Sequence, residues 1–430
     1  MTIVILLSLF VIFMFMGVPV GFSMALPSLA YLIMLGGDIN LSFIPHSMTG
    51  PLFNYVLIAV PAFLLMGRML NTAGLTDRLF DLGIAIAGRF KGGLAYANIL
   101  ASMFFSSMSG TAVGDAGGLG FIEMEIMTKA GYRKAFSAGI SAASPILGPL
   151  FPPSVTMILI GASAQISVGR LFLGGIIPGF IMTAALLVHV FICTRITEEG
   201  RNWPVSKMST RESLKAVVRC IPPLITPVIV VGGIMWGVVT PTEAAVLAID
   251  FAILLGIFYR KITLKSIIRT FMDTVESSGT FLILTACAGF FTWMVTIEGL
   301  PQALAAFLAP VAEKSQLVCV FFLAAAFLGI GCFMDTSAAV ILLAPTLMPI
   351  VVSMGIDPIY FGLVMTVSLI TGIITPPFGI CIFVMSDVAK LPVSVITKEA
   401  IKYLPAMCVT LILIVIFPEL ILWIPRLVFG

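Results

Sequence analysis

Four stretches of small, hydroxyl-bearing and proline residues interrupt the long apolar runs of this sequence, and each could bind an ion. They cover residues 105–120, 144–154, 334–337 and 371–379. Serine and threonine hydroxyls, with carbonyls freed where a helix breaks, are hard oxygen ligands that suit a small cation. The first and third stretches also contain an acid, Asp115 and Asp335, and an acid inside an apolar segment indicates a functional site. Glycine and serine also serve close helix packing, which remains an alternative for the first stretch.

The proline content of the second and fourth stretches predicts that their helices are broken. Ser144–Ser154 holds four prolines in eleven residues, which a regular helix cannot accommodate. Thr371–Gly379 contains a Pro-Pro pair. The amide groups at the start of a half-helix attract an anion, while carbonyls at an unwound end coordinate a cation. Paired breaks therefore predict two cation sites on either side of one anion site.

The composition restricts where such sites can lie. The chain has 430 residues, of which 60% are hydrophobic and only 10% charged, against roughly 25% charged in a soluble domain. So few charges cannot cover a soluble protein of this length, which excludes a soluble enzyme, a nucleic-acid-binding protein and a disordered chain. Long unbroken apolar runs, instead of short alternating strands, predict an all-α polytopic membrane protein in a lipid bilayer.

The positions of lysine and arginine predict the path of the chain through the membrane, because basic loops stay on the cytoplasmic side. Tracing this pattern gives about 10–11 transmembrane helices. The first begins at the N-terminus and is interpreted as a span, not a removable signal. Two segments enter and leave on one side, and we predict re-entrant helical hairpins there, over 93–128 and 315–354.

An internal repeat relates the two hairpins. Asn71–Leu79 matches Thr296–Leu304 at an offset of 225, and Pro152–Pro153 lies 224 positions before Pro376–Pro377. The loop after the first hairpin is basic, whereas the loop after the second is not, so the copies have opposite orientations. Inverted repeats of this kind are typical of secondary transporters, whose substrate and ion sites lie at broken helices.

The repeat predicts two halves of the chain. The first inverted repeat covers 1–210 and contains a broken helix at 141–161. The second covers 211–430 and contains a broken helix at 359–388.

Several other residues allow more than one interpretation. Glu243 and Asp250 lie on one apolar span, where each could bind a cation or carry a proton, but a helix cap or an interhelical hydrogen bond is an equal alternative. The seven cysteines and two histidines show no paired spacing, which argues against disulfides and zinc. The four tryptophans lie near span ends and are predicted to anchor the chain at the membrane interface.

Six motifs, taken in order, resemble those of the large membrane subunit of tripartite ATP-independent periplasmic (TRAP) transporters. They are Gly17–Phe22, Ser109–Thr111, Pro152–Ser154, Thr240–Ala245, Met334–Thr336 and Thr375–Gly379. The resemblance covers nearly the whole chain and implies an elevator-type transporter fold without enzymatic activity. It implies sodium-driven import of an organic acid across a bacterial inner membrane. It also implies two partners, a small four-helix membrane subunit and a soluble periplasmic substrate-binding protein.

The same resemblance assigns residues to sites, position by position. The first sodium site would be framed by Ser106, Ser109, Gly110, Ser144 and Gly148. The second would be framed by Asp335, Thr336, Gly372, Thr375 and Pro376. The cavity that reaches the carboxylated substrate would be lined by Ser109, Ser154 and Asp335. Asp335 would hold sodium or a sugar hydroxyl, because it repels a carboxylate.

The tip of the first hairpin lacks the proline that many C4-dicarboxylate members carry, which favours a sugar acid such as sialic acid. Two other functions remain open. A stand-alone sodium/anion symporter of the divalent-anion type would have the same inverted hairpins and would need no partners. An intramembrane aspartyl protease would use Asp115 and Asp335, but such a dyad must share one proton at close range.

Overall fold

The computed structural model describes residues 2–35, 42–205, 208–376 and 379–430, and every regular element in these ranges is a helix. No strand occurs in the described part, so the predicted all-helical fold is confirmed. Apolar runs form helices here because a helix satisfies its backbone hydrogen bonds within one segment, as a membrane requires.

The elements before residue 197 include the hairpin and the broken helix of the first half. They are α1 (Thr2–Phe15), α2 (Val20–Leu35), α3 (Phe43–Thr49), α4 (Ala59–Thr72), α5 (Thr76–Ala87), α6 (Gly93–Ser109), α7 (Ala112–Gly117), α8 (Leu119–Lys129), α9 (Lys134–Ala143), α10 (Val155–Ala164) and α11 (Val168–Ile196). Short 3-10 helices occupy Gly50–Phe53, Tyr55–Ile58 and Ser144–Leu147.

The elements after residue 197 begin with a short connector helix. They are α12 (Glu198–Arg201), α13 (Thr210–Met235), α14 (Pro241–Phe258), α15 (Leu264–Ile297), α16 (Leu300–Lys314), α17 (Gln316–Gly331), α18 (Thr336–Ser353), α19 (Pro358–Gly372), α20 (Ile380–Ala389), α21 (Val393–Ala400), α22 (Leu404–Ile416) and α23 (Glu419–Phe429), with a 3-10 turn at Ile401–Tyr403.

Seven of the described helical segments are long and apolar enough to cross a membrane, which supports a multi-pass protein. They are Tyr55–Thr72, Val168–Ile196, Thr210–Met235, Pro241–Phe258, Leu264–Ile297, Thr336–Ser353 and Val393–Ile416. Shorter apolar helices lie between them, including α10, α17, α19 and α20. These four are short because the chain turns or breaks where glycine and proline interrupt the apolar run.

The same order of elements occurs twice. A helix (α5 or α16) is followed by a hairpin (α6–α8 or α17–α18) and then by a broken helix (α9–α10 or α19–α20). The half-helices α10 and α20 are both ten residues long and begin 225 positions apart. The division of the chain at residue 210 stays a prediction.

The N-terminus of α14 decides between the alternatives for Glu243. The Glu243 carboxylate accepts a hydrogen bond from the Thr240 amide (2.8 Å), and the Thr240 hydroxyl accepts one from the Glu243 amide (3.3 Å). Pro241 occupies the first helical position, where its missing amide costs nothing. Glu243 is therefore a helix cap, whereas Asp250 lies exposed on the same helix.

The prediction that every tryptophan anchors the chain at the interface is wrong for Trp203. Its side chain is only 7% exposed. The ring packs on Phe136 (centroids 4.5 Å apart) and Tyr132 (5.6 Å). The connector after α12 folds back over α9, so a tryptophan that looks peripheral in the sequence is buried by tertiary packing.

Candidate functional site

The first hairpin turns at Gly110, and this turn rests on the start of α10. α6 ends at Ser109, and Gly110 has a φ of +66°, which favours glycine. A Cβ atom on Gly110 would also lie 2.6 Å from the Pro153 carbonyl oxygen. The Val155 amide donates a hydrogen bond to the Gly110 carbonyl (3.3 Å). The break between α9 and α10 therefore fixes the position of the hairpin tip.

Three of the five residues predicted for the first sodium site meet at this tip. Gly148 lies against it, because a Cβ atom there would be 2.9 Å from the Thr111 carbonyl carbon and 3.1 Å from Asp115 Oδ2. The Ser109 hydroxyl accepts a long hydrogen bond from the Thr111 amide (3.4 Å). Ser109, Gly110 and Gly148 thus lie around the backbone of the turn.

The other two, Ser106 and Ser144, belong to a buried polar network next to the tip. The Ser106 hydroxyl donates to the Ser102 carbonyl, and the Ser102 hydroxyl donates to the Ser144 hydroxyl (3.0 Å). Ser144 donates in turn to Asn98 Oδ1 (2.7 Å). Each hydroxyl oxygen keeps lone pairs for a further acceptor contact, so the network can still receive an ion.

Two fully buried carboxylates adjoin this network. Glu123 Oε2 accepts a hydrogen bond from Asn98 Nδ2 (2.6 Å), which also donates to the Ser141 hydroxyl (2.8 Å). Glu123 Oε1 and both carboxylate oxygens of Asp115 have no hydrogen-bond partner among the described residues. An unpartnered buried acceptor costs about 1–3 kcal/mol, so these oxygens are suited to a cation or a proton.

Sequence reasoning singled out Asp115 but missed Asn98, Ser102 and Glu123. A usable signal was present in α6, where Asn98, Ser102 and Ser106 recur every fourth residue. That spacing places three polar side chains on one face of a helix, and all three are buried. A polar stripe on a buried helix face predicts a hydrogen-bonded network.

The second hairpin turns at the segment before α18, and Asp335 caps that helix. Its Oδ2 atom accepts a hydrogen bond from the Ser337 amide (2.8 Å). The hydroxyl of Thr336 is buried and has no partner among the residues that the structure describes. Asp335 therefore caps α18 and also lies next to Thr336, whose buried hydroxyl makes no hydrogen bond among the described residues.

The second broken helix packs against this tip. A Cβ atom on Gly372 would lie 2.5 Å from the Gly331 carbonyl carbon, so α17 and α19 cross backbone to backbone. Thr375 donates to the Thr371 carbonyl (3.0 Å) and also contacts the Cys332 thiol at the tip.

Four of the five residues predicted for the second sodium site thus lie at the tip or at the helix break beside it. Pro376, the fifth, is exposed. Pro377 and Phe378, which belong to the same motif, lie outside the described residues.

Helix α20 follows the second helix break and packs against α7 and α8 of the first hairpin. A Cβ atom on Gly120 of the first hairpin would lie 3.2 Å from the Met385 sulfur. Cys381 on the same helix is fully buried. Because α20 begins directly after the second helix break, it connects that break to the first hairpin.

Ser154, predicted to line the substrate cavity, is buried and its hydroxyl has partners. It donates to the Pro149 carbonyl (2.7 Å) and accepts from the Met157 amide (3.2 Å) as the cap of α10. Ser109 is half-buried at the hairpin tip. The structure does not open Ser154 to a cavity, so its contact with substrate stays a prediction.

A cavity of about 1110 Å³ lies beside α10 and α18. One wall is formed by α15, including Trp293, and by the turns around Asn54; the other includes Gln165 after α10 and Ile341 of α18. Asn54 Nδ2 donates to the Ala162 carbonyl (2.6 Å) and so joins the two walls. The described lining contains no Asp, Glu, Lys or Arg, and its volume suits a small organic molecule.

Comparison with known proteins gives consistent results. The sequence profile described as "Tripartite ATP-independent periplasmic transporter, DctM component" matches residues 7–420. The sialic acid TRAP transporter large permease protein SiaM of Vibrio cholerae is 38% identical, and the alignment covers 97% of each chain. The sialic acid TRAP transporter permease protein SiaT of Haemophilus influenzae is 36% identical over 98% of this chain and 68% of its own length. The structure of the Alcanivorax borkumensis YdaH transporter has a similar fold, with a TM-score of 0.61, 15% identity, and coverage of 89% and 90% of the two chains.

Proposed function

Because the chain belongs to the DctM family of tripartite ATP-independent periplasmic transporters, we propose that it is the large membrane subunit of a sodium-coupled importer of an organic acid. One observation carries the proposal: each hairpin tip packs against a broken helix, and α20, which follows the second break, packs against α7 and α8 of the first hairpin. Opposed breaks bring carbonyls and helix N-termini together, as binding of a cation and an anion requires. The relatives are named as permeases, which points to transport instead of catalysis.

The oxygen atoms around the two tips support sodium as the coupling ion. Asp115 brings two buried carboxylate oxygens without partners, and Thr336 brings a buried hydroxyl. Sodium prefers such hard oxygen ligands. The proposed ligand regions are Ser106, Ser109, Gly110, Ser144 and Gly148 for one ion, and Asp335, Thr336, Gly372, Thr375 and Pro376 for the other.

The proposed substrate is a carboxylate that also carries hydroxyls, with sialic acid as the first candidate and a C4-dicarboxylate as the second. The names of two relatives and the absence of proline from the first hairpin tip favour sialic acid. Ser109 and Ser154 would donate hydrogen bonds to it, and Asp335 would accept one from a sugar hydroxyl. Ser154 can do so only if its hydroxyl leaves the Pro149 carbonyl.

The proposed mechanism is an elevator in the bacterial inner membrane. The hairpins and the broken helices would move together past the remaining helices. The cavity beside α10 supports this, because its two walls belong to the two groups of helices and are joined by the hydrogen bond from Asn54 to Ala162. A periplasmic binding protein would deliver the acid, and a small four-helix subunit would cover part of the exposed apolar surface.

Uptake into proteoliposomes tests this function. The chain is reconstituted alone and with a small subunit and a binding protein from its own genome, under an inward sodium gradient or none, with a panel of labelled organic acids. We expect uptake of one acid only with all three proteins and only with the gradient. Uptake by the chain alone would identify a stand-alone symporter, and uptake that ignores the sodium gradient would refute sodium coupling.

A further inference from the structure

We propose that a basic pocket at the end of α11 binds the phosphate group of an anionic phospholipid. The pocket has a volume of about 560 Å³, and its lining includes Lys91, Arg195 and Arg201 together with Tyr96 and Phe191. Tyr96 lies on α6, about 20 Å along that helix from Ser109 at the hairpin tip. The pocket is therefore separate from the region where we place substrate and sodium, and the proposal does not depend on the transported molecule.

A close backbone contact at Gly92 brings Lys91, one of the three cationic residues, next to α11. Gly92, next to Lys91, has a φ of +76°, and a Cβ atom there would lie 2.9 Å from both the Thr194 methyl group and the Trp203 ring. Only glycine allows the α5–α6 loop to approach α11 this closely. The burial of Trp203 under this loop therefore holds Lys91 beside the end of α11.

A second close contact folds α12 back over the end of α11. A Cβ atom on Gly200 would lie 2.2 Å from the Cys193 carbonyl oxygen, and the Thr197 hydroxyl caps the turn between them. Arg201 Nε then donates a hydrogen bond to the Arg195 carbonyl (3.0 Å). Arg201 and Arg195 are thus held side by side by the fold itself.

The three positive charges have no ion-pair partner in the described part of the chain, although α12 also carries the unpaired acid Glu198. Lys91, Arg195 and Arg201 form no ion pair there, and Glu199, an acid on the same short helix as Arg201, is paired with Arg133 (2.8 Å). The positive end of α6, which begins two residues after Lys91, adds to the same field. Like charges around one pocket repel, and a bound anion removes that cost.

The neighbouring surface favours a lipid over free phosphate. Val188 and Phe191 lie on one face of α11 and are 55% and 51% exposed, and Phe90 at the pocket rim is 64% exposed. The Arg195 guanidinium stacks over the Phe191 ring at 5.2 Å, where charged and apolar surfaces meet. A phospholipid can place its phosphate among the cations and its acyl chains along this face. Basic pockets at the cytoplasmic ends of membrane helices bind anionic head groups in this way.

Lipid retention on the full-length chain tests the proposal. The chain is reconstituted in nanodiscs of phosphatidylcholine with phosphatidylglycerol, then released and analysed by native mass spectrometry. The double variant Arg195→Gln, Arg201→Gln is compared with Lys265→Gln, Arg269→Gln, which removes the same charge from exposed positions on α15. We expect the wild type and the α15 variant to retain phosphatidylglycerol equally. The pocket variant should bind it about tenfold or more weakly.

Two further measurements separate the alternatives. Lys91→Gln alone should weaken retention less than the double variant, which provides a test if the double variant does not fold. Phe191→Ser should weaken phosphatidylglycerol retention, while inorganic phosphate should raise the thermal stability of no variant. Equal retention in the pocket and α15 variants would overturn the site. Stabilisation by inorganic phosphate equal to that by phosphatidylglycerol would overturn the lipid as its ligand.

Discussion

Asp335 caps α18 and also lies where we propose a sodium ion, and one substitution separates the two roles. Asparagine caps a helix as well as aspartate does, so Asp335→Asn should keep the contact with the Ser337 amide and the fold. It removes the negative charge, and we expect sodium-dependent uptake at a fixed sodium concentration to fall about tenfold or more, equivalent to about 1.4 kcal/mol of binding. The measurement is proteoliposome uptake against sodium concentration, beside thermal unfolding.

The control for this experiment is Asp357→Asn. Asp357 caps α19 through the Ile359 amide (2.8 Å) and the Tyr360 amide (3.2 Å), but it follows the opposite end of α18 from Asp335. It should leave the sodium dependence unchanged. An Asp335→Asn protein with wild-type sodium dependence would remove Asp335 from the sodium site.

Asn98 is the centre of the buried network, and its removal should be costly. It contacts Glu123, Ser141 and Ser144 at 2.6–2.8 Å. Asn98→Leu leaves buried oxygens without donors, so we expect a loss of about 2–3 kcal/mol in the free energy of unfolding. A denaturation experiment in detergent measures it. Ser107→Ala on the same helix should change little, because the Ser107 hydroxyl donates to the Phe104 carbonyl within its own helix. Equal losses in both variants would contradict the network.

Individual residues differ in how far the sequence could predict them. Asp335 and Gly110 stand out because an acid or a glycine in an apolar run costs stability unless it has a structural or functional role. Glu123 does not stand out, because it lies near a basic loop and its partners come from other helices. Asn98, Glu123 and Ser141 come together from three helices through tertiary packing, which no local sequence pattern predicts.

At the scale of elements, α17 and α19 cross so closely that Gly372 should not tolerate replacement by a residue with a side chain. Gly372→Ala would place a methyl group 2.5 Å from the Gly331 backbone, which cannot move without separating the helices. We expect a loss of about 1–3 kcal/mol of stability, measured by thermal unfolding, and reduced uptake. Gly329→Ala is the matched control, because nothing lies within 4 Å of a Cβ atom there. Similar stability of the two variants would contradict a close crossing.

Helix breaks are the elements that the sequence predicts best. The prolines around Ser144–Ser154 and the glycines at each hairpin tip act through local backbone geometry. Each helix break therefore occurs at the position of these residues in the sequence. The position of Trp203 could not be predicted in this way, because its burial depends on Gly92 from another loop. The role of Glu243 was open between cap and ligand until the geometry of Thr240 was known.

At the scale of the whole molecule, the elevator proposal predicts that the large cavity changes during transport. A cysteine at Ser163, which lines the cavity from the last turn of α10, should react with a membrane-impermeant maleimide at a rate that changes when sodium and substrate are added together. Gln302→Cys, at an exposed position on α16, should react at a constant rate. A Ser163→Cys labelling rate that is the same in every condition would contradict movement between the cavity walls.

The length of α15 links the protein to the thickness of its membrane. Its 34 residues span about 51 Å, against about 30 Å for the hydrocarbon core, and its first turns carry Lys265 and Arg269. The helix must therefore tilt or project, and the angle depends on how thick the surrounding bilayer is. Because α15 packs against both α2 and α18, a change in acyl-chain length would be transmitted mechanically to the second hairpin. In the proposed elevator, lipid composition would thus shift the balance between its conformations without any ligand acting on the protein.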